Sequence, residues 1–363
     1  MQPTPQVRYV LLTAGREPLE LDFASYRDPY PDVFLGYYVE CFRELEAGGQ
    51  MDGLTVYIVW NYQIIPDLPS YGENVVVLIL QDEYGSIPWY INRVACVFKA
   101  YGFLPQVDPR ACLQHPAVLL KATRDGANWL YHMAVYLRRS GFRPLPRNRE
   151  TVPLGYARQI ALPIAEYQTR RYFISFVGSI EQTHHKTWSL RRAIGTPKAI
   201  ARSQMSRSLR RIAASGMNDI FYGQTGTFME SILSSGAEYS KIVANTKICL
   251  APRGSSSETY RFFEALRQGC VVICDRLPPH WFYRGCPAIQ IDDWRNLESI
   301  ARDLRRDEGR QLDLHRRSLE WWENVCAGAA VARRMGACLA ASREIAHSPP
   351  EPSAAEALRR LAP

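Results

Sequence analysis

Residues 247–275 read KICLAPRGSSSETYRFFEALRQGCVVICD, and this stretch decides the fold. The apolar run 246–251 has the length of a buried strand, and 271–274 repeats that pattern after an interval. Between the two runs, 252–258 is small, polar and glycine-containing, which is the composition of a turn. Residues 259–268 place Phe262, Phe263, Ala265 and Leu266 on the apolar sides of a helix that Gly269 closes. A strand–turn–helix–strand order of this kind belongs to a parallel sheet, and it points free backbone N–H groups and a positive helix end at an anion. Arg253 beside Gly254 adds a bidentate anion ligand, and Ser255, Ser256 and Ser257 are suited to cap the helix or to donate to phosphate. Glu258, Arg261 and Glu264 recur every third residue and share nearly one helix face. Arg261, nearer the turn, is placed for phosphate, and Glu264, further along, for a ribose diol. An amphipathic helix with ordinary surface ion pairs has the same spacing, so local pattern alone leaves both readings open.

Outward from this segment, strands are expected at 7–13, 54–60, 75–80 and 95–99, with a helix around 33–46. Residues 108–125 and 127–140 are mixed in pattern. A Pro-rich, basic connector occupies 143–153 and runs irregularly to Pro163. Beyond it come a strand at 173–178, a helix at 198–215, the strands 246–251 and 271–274, and a short strand at 288–291. The end is largely helical from 297 to 339, with a Pro/Ala-rich tail after His347 expected to fray. The predicted class is α/β, with two open Rossmann-like domains. They are divided as 1–160 and 161–320, and residues 321–363 hold terminal helices and the tail.

A chain of 363 residues, 47% hydrophobic and 22% charged, fits two globular domains. No apolar run approaches the ~20 residues of a membrane-spanning helix. The start MQPTPQVRYVLLTAG lacks the layout of a secretory signal, so a cytoplasmic location is expected, with the inner face of a membrane as a variant of it. Nine scattered cysteines, most of them inside apolar runs, indicate neither a zinc site nor a disulfide framework. The formal net charge of +8 points to an anionic partner: nucleotide, nucleic acid, membrane surface or acidic glycan. Basic density peaks at 186–211, which reads equally well as a solvated helix face or an anion site.

The wording of the central segment resembles the donor-binding signature of the exostosin family of glycosyltransferases. Pro252-Arg253-Gly254, Arg261, Glu264-Ala265 and Gly269-Cys270 followed by Val271-Val272-Ile273 carry that resemblance. Phe176-Val177-Gly178 followed by Arg191 or Arg192 is similar to the family's Phe-x-Gly strand end with a downstream Arg, and Tyr239-Ser240-Lys241 with the strand Lys247–Leu250 to its approach to the turn. The likeness covers about 173–322 and departs from the family where Val271-Val272 replaces Ile-Pro and where Ser255–Ser257 replaces a Gly-rich turn. It implies a GT-B-type fold with two Rossmann-like domains facing a cleft and C-terminal helices crossing back. It also implies a nucleotide-sugar donor, UDP-linked above others, moved by an inverting hexosyl- or pentosyltransferase in polysaccharide biosynthesis. Glu264 would hold the ribose. Arg253 with Arg261 would face the diphosphate, with Gly178, Ser179 and one of Arg191 and Arg192 approaching it from the other loop, and Gly254, Ser255, Ser256, Ser257, Glu258 and Thr259 would complete the donor site. Such enzymes need no metal and no further cofactor. The absence of a convincing Asp-x-Asp agrees, with Asp292-Asp293 reading better as a turn cap.

Inverting transfer needs a base on the acceptor hydroxyl. The Asp82-Glu83 pair follows the strand 75–80 at its carboxyl end, where open α/β sheets place ligands. Either residue fits, with Glu83 slightly favoured, and a solvated turn is the competing reading. His184-His185 could meet phosphate or acceptor, and His280 with Trp281 and Phe282 could wall the sugar or base pocket. Trp321-Trp322 reads as interdomain packing. The acceptor is expected to be a glycan or a lipid-linked glycan, with peripheral membrane association as an option. A basic nucleic-acid- or polyanion-binding protein without catalysis is the alternative, disfavoured because the basic residues are not interleaved with aromatics. No nucleic-acid partner is therefore expected.

Overall fold

Residues 7–30, 33–157, 161–180, 195–225 and 236–347 are described by the computed structural model. The first sheet contains β1 (Arg8–Leu12), β2 (Leu19–Leu21), β3 (Thr55–Val59), β4 (Gly72–Ile79), β5 (Val94–Lys99) and β6 (Arg149–Thr151). Its order is β2-β1-β3-β4-β5-β6, and β2 alone runs antiparallel to its neighbour. The second sheet contains β7 (Tyr172–Ser179), β8 (Ile220–Thr225), β9 (Thr246–Ala251), β10 (Val271–Asp275) and β11 (Ile289–Ile291). Its order is β11-β10-β9-β7-β8, with all pairs parallel.

The continuous apolar runs are explained by cover on both faces. On β4, Val76 and Leu78, followed by Leu80 just beyond its end, enter one core while Val75, Val77 and Ile79 enter another. On the second sheet Cys249, Ala251, Val272 and Cys274 face the first of these cores, and Ile248, Leu250, Val271 and Ile273 face a third. One apolar body is thus shared by both sheets. Between them lie α1 (Gly36–Ala47) and α6 (Tyr260–Arg267), which bury Tyr37, Phe42, Phe262 and Phe263 there.

The chain end returns to the first domain. After α7 (Leu297–Arg306) and α8 (Glu308–Trp321), a π-helical turn at Trp322–Cys326 leads into α9 (Gly328–His347), which packs on α1 and β5. Tyr37 Oη donates to the Cys326 carbonyl at 2.6 Å, and Arg334 Nε pairs with Glu150 at 2.7 Å. Trp322 lies against Tyr37 and Tyr156 at this crossing. Gly155 passes so close to the Tyr37 ring, at φ +66°, that a Cβ there would overlap it. Two Rossmann-like domains with terminal helices crossing back form a GT-B-type architecture.

Several local expectations change. The connector expected at 143–153 contains β6, because Asn148 Nδ2 donates to the carbonyls of Ile91 (2.9 Å) and Val94 (2.8 Å) and draws the chain onto β5. The mixed stretch after 108 is helical, as α2 (Pro109–Gln114) and α3 (Pro116–Ser140). The helix expected over 198–215 is α4 (Pro197–Ala214), capped by Thr196 Oγ1 accepting from Ala199 N. Strands β2 and β8 and helix α5 (Gly236–Ala244) were not anticipated.

Candidate functional site

The turn after β9 is held from behind by a carboxylate. Asp275, at the end of β10, accepts from the Arg253 backbone N–H at 2.7 Å and from Trp294 Nε1 at 3.1 Å. Burial pushes its carboxyl up, and Arg253 pulls the other way. Arg202 on α4 joins this turn to the end of β7, with Nε donating to the Arg253 carbonyl (3.2 Å) and Nη1 to the Ser179 carbonyl (2.5 Å). Lys198, one helical turn earlier, donates to Ser179 Oγ at 2.9 Å. Arg261 Nη2 donates to the Val177 carbonyl at 2.5 Å, with its guanidinium 4.9 Å over the Phe176 ring. A Cβ at Gly178 would collide with that guanidinium, so glycine here lets the arginine reach the strand end.

Three cations, Lys198, Arg202 and Arg261, therefore converge at the end of β7, and Arg202 links them to the turn that carries Arg253. Arg202, Arg253 and Arg261 are buried, and the Nε atoms of Arg253 and Arg261 are buried donors without a hydrogen-bond partner. Burial, then Arg202 and Arg261, push the Lys198 ammonium down to about 8. Burial, then Arg261, push the Arg202 guanidinium down to about 9. Glu83 and Asp275 pull back on these two groups without cancelling the excess. Clustered, desolvated positive charge with orphaned donors is the electrostatic complement of a di-anion.

The serines and Glu258 do not join this cluster. Ser256 Oγ (2.5 Å) and Ser257 Oγ (3.0 Å) donate to Gln106 Oε1, and Gln106 Nε2 in turn donates to Glu258. Glu258 also accepts from Tyr283 Oη at 3.2 Å and lies 3.3 Å from His280 Nε2. Ser256 Oγ also accepts from the Glu258 backbone N–H at 3.1 Å, so both serines are tied into a bridge to the first domain of which Glu258 is the buried centre. His280 packs against Gly102 and this network instead of an open pocket. Thr259 precedes α6 without making a side-chain cap, and its Oγ1 is buried without a partner. Ser255 is exposed at the rim, next to Gly254.

Glu264 lies on the inner face of α6, buried, with its two oxygens accepting from Ala157 N (3.2 Å) and Tyr239 Oη (2.7 Å). Burial raises its carboxyl, and those two bonds oppose the rise. Glu264 therefore ties together the connector, α5 and α6, and a diol would have to share oxygens that already accept two bonds.

Across the cleft, Asp82 and Glu83 separate cleanly. Asp82 is fully buried, 3.1 Å from Lys99 Nζ, and accepts from Ser86 Oγ at 3.2 Å and Tyr84 N at 3.3 Å. Burial pushes the Lys99 ammonium down, against the pull of Asp82. The expectation that either acid fits the cleft is corrected, because Asp82 is committed to shaping the 81–86 loop. Glu83 is half-buried at the cleft, and desolvation raises its carboxyl. Lys121 and Ser255, the latter from the opposite domain, pull it down. Gln81 Nε2 donates to Tyr260 Oη at 3.1 Å, which fixes this loop against the start of α6.

Arg191, Arg192, His184 and His185 lie outside the described residues. Asp293 accepts from Arg295 N at 2.8 Å as a turn cap, and Asp292 pairs with Arg276 and Arg110. Among the described residues, no group of three or more His, Cys, Asp or Glu is placed to hold a metal ion. Lys198 and Arg202 belong to the basic 186–211 stretch, for which an anion site was one of the two open readings.

No family model and no curated protein matches the chain. Solved structures resemble it distantly. One is the pneumococcal O-GlcNAc transferase GtfA in complex with UDP and GlcNAc (11% identity, TM-score 0.42, 86% of this chain and 60% of that one). Another is Anabaena HepE in complex with UDP-glucose (10%, 0.37, 83% and 95%). A third is sucrose-phosphate synthase of Thermosynechococcus elongatus (12%, 0.40, 89% and 81%). The chain spans about 60% of the length of GtfA. Likenesses this distant say nothing about what this chain binds or transfers.

Proposed function

We propose that this chain is a glycosyltransferase that moves a sugar from a nucleotide-sugar, a UDP-sugar foremost, to a hydroxyl acceptor. The convergence of Lys198, Arg202 and Arg261 on Val177–Ser179, with Arg202 joining them to the turn of Arg253, supports this reading above all else. A nucleoside diphosphate leaving group brings the compensating charge. Backbone N–H groups of the turn and the N-terminal end of α6 would add to that stabilisation, so the side chains could neutralise the leaving group without a metal.

Glu83 is the proposed base. It faces the cation cluster from the first domain, and its raised carboxyl suits proton abstraction nearer neutral pH than an ordinary glutamate. Attack from the face opposite the diphosphate would give inversion. The wording of 252–274 supports an exostosin-like donor half, with an acceptor half at 1–160, a donor half at 161–320 and terminal helices beyond. Polysaccharide synthesis on the cytoplasmic side, with a glycan or lipid-linked glycan as acceptor, fits that division.

The test is a thermal-shift screen of the full chain against UDP, GDP, CMP and their sugars. A ligand that binds only the folded state raises the midpoint by mass action. UDP or a UDP-sugar is expected to raise it, and Arg261→Ala to remove most of the rise. No shift with any nucleotide contradicts the proposal.

A further inference from the structure

Helices usually bury their apolar stripe, but α3 turns one outward. Its inner side carries Ala117, Val118 and Tyr136, which are buried, while Asn128 Nδ2 reaches Ser86 Oγ (3.0 Å) and Trp129 Nε1 reaches the Phe103 carbonyl (3.0 Å). Leu120, Ala127 and Leu130 follow at helical spacing on the outer side, all exposed. Tyr131 stands beside them at 64% exposure, Leu113 of α2 precedes them at 90%, and Phe142 ends the stripe at 80%. An exposed apolar band along a 25-residue helix is larger than scattered surface leucines account for.

The charge around the band is one-sided. Residues 109–147 contain Arg110, Lys121, Arg124, Arg138, Arg139, Arg143 and Arg147, and a single acid, Asp125. Asp125 is buried and held by Lys121 and Arg124, so it offers nothing outward. Arg110 and Arg139 meet Asp292 and Asp67, and Arg138, Arg143 and Arg147 set three further exposed cations beside the band. A two-fold contact with a second copy would press these cations against each other.

We infer that the outward face of α2 and α3, continued by Phe142, docks on an anionic lipid surface. Leucines and aromatics would enter the headgroup boundary while the arginines meet lipid phosphates, the pattern of an interfacial amphipathic helix. The opposite side of α3 carries Lys121 and Asp125, which act on the Glu83 carboxyl. If Glu83 is the base, an acceptor anchored in that surface arrives one helix thickness from it. This last step rests on the proposed function, whereas the docking face does not.

Flotation of the full chain with vesicles tests it, comparing phosphatidylglycerol-containing with pure phosphatidylcholine membranes. The chain is expected to float with the anionic vesicles, to float poorly with the neutral ones, and to be released by high salt. Leu120→Asp/Leu130→Asp should cut binding at least tenfold. Arg138→Gln/Arg143→Gln/Arg147→Gln should cut it roughly fivefold per arginine, about a hundredfold together. All these side chains are exposed or on the helix rim, so melting and the UDP-induced shift should match wild type. Failure of the wild type to float, or variants that float equally well, overturns the inference. It is also overturned if sedimentation velocity shows a dimer that Leu120→Asp/Leu130→Asp dissociates while neither protein floats. Loss of every nucleotide shift with flotation intact would refute the donor site and leave the docking face standing.

Discussion

The turn 252–258 and the loop 81–86 each follow a buried parallel strand, yet they treat charge in opposite ways. On the first-domain loop, Asp82 and Lys99 are both fully buried and face each other at 3.1 Å, so the interior charge is closed. At the second-domain turn, Arg202, Arg261 and the half-buried Lys198 gather at the end of β7 beside the turn of Arg253, and two buried guanidinium nitrogens, Arg253 Nε and Arg261 Nε, lack partners. Compensated charge shapes the backbone, and uncompensated charge waits for a ligand. Glu83 stands between the two regimes, half-buried and facing the positive side.

The sharpest break between the two regions comes from the neighbouring acids. Glu83→Gln is expected to lower kcat by about 10²–10⁴-fold while leaving nucleotide affinity intact, as removal of a general base does. Turnover near the wild-type value would remove Glu83 from the chemistry. Asp82→Asn should act on stability, because it leaves Lys99 buried without its counter-charge. A loss of about 3–5 kcal/mol in denaturant unfolding is expected, and an unchanged midpoint would mean the pair is not the closed unit described.

On the positive side the effects concern affinity. Arg261→Ala should weaken nucleotide binding by roughly 10–100-fold, the range of a charge-assisted bond to an anion, with little change in melting. Gly178→Ala should weaken it less, because it displaces the Arg261 guanidinium without removing it. Equal affinity in both variants would place the anion elsewhere.

The smallest effect is a pH dependence. The Lys198 ammonium loses its proton near 8 in the free protein, and a bound diphosphate would raise that value. Nucleotide affinity should therefore be full below pH 8 and fall severalfold as pH rises through it, with proton uptake on binding measurable by calorimetry in two buffers. For Glu83 the sign is reversed. Its raised carboxyl should put the acid limb of the rate profile above the ordinary 4.5.

Much of this was readable in advance because 247–275 packs strand, turn, helix and strand into one uninterrupted stretch, where period and turn chemistry are strongest. Strand β6 was not, because three residues after a Pro-rich connector carry no period and are drawn onto β5 with the help of Asn148. For Lys198 and Arg202 the sequence left two readings level, because basic residues four apart on a helix fit a solvated face as well as an anion site until the strand end they touch is known. The partners of Glu264 lie 107 and 25 residues away in sequence, so its bonds to Ala157 and Tyr239 could not be read from local spacing. The separation of Asp82 from Glu83 likewise required Lys99, which the sequence places at the end of another strand.

Titration calorimetry of UDP into the full chain and into its Arg261→Ala variant near pH 7 tests the central claim most directly. Binding to the wild type that weakens at least tenfold in the variant is the expected result. Absence of binding by UDP, GDP and CMP alike, or equal binding by both proteins, would contradict a diphosphate site at the junction of β7, β9 and α4.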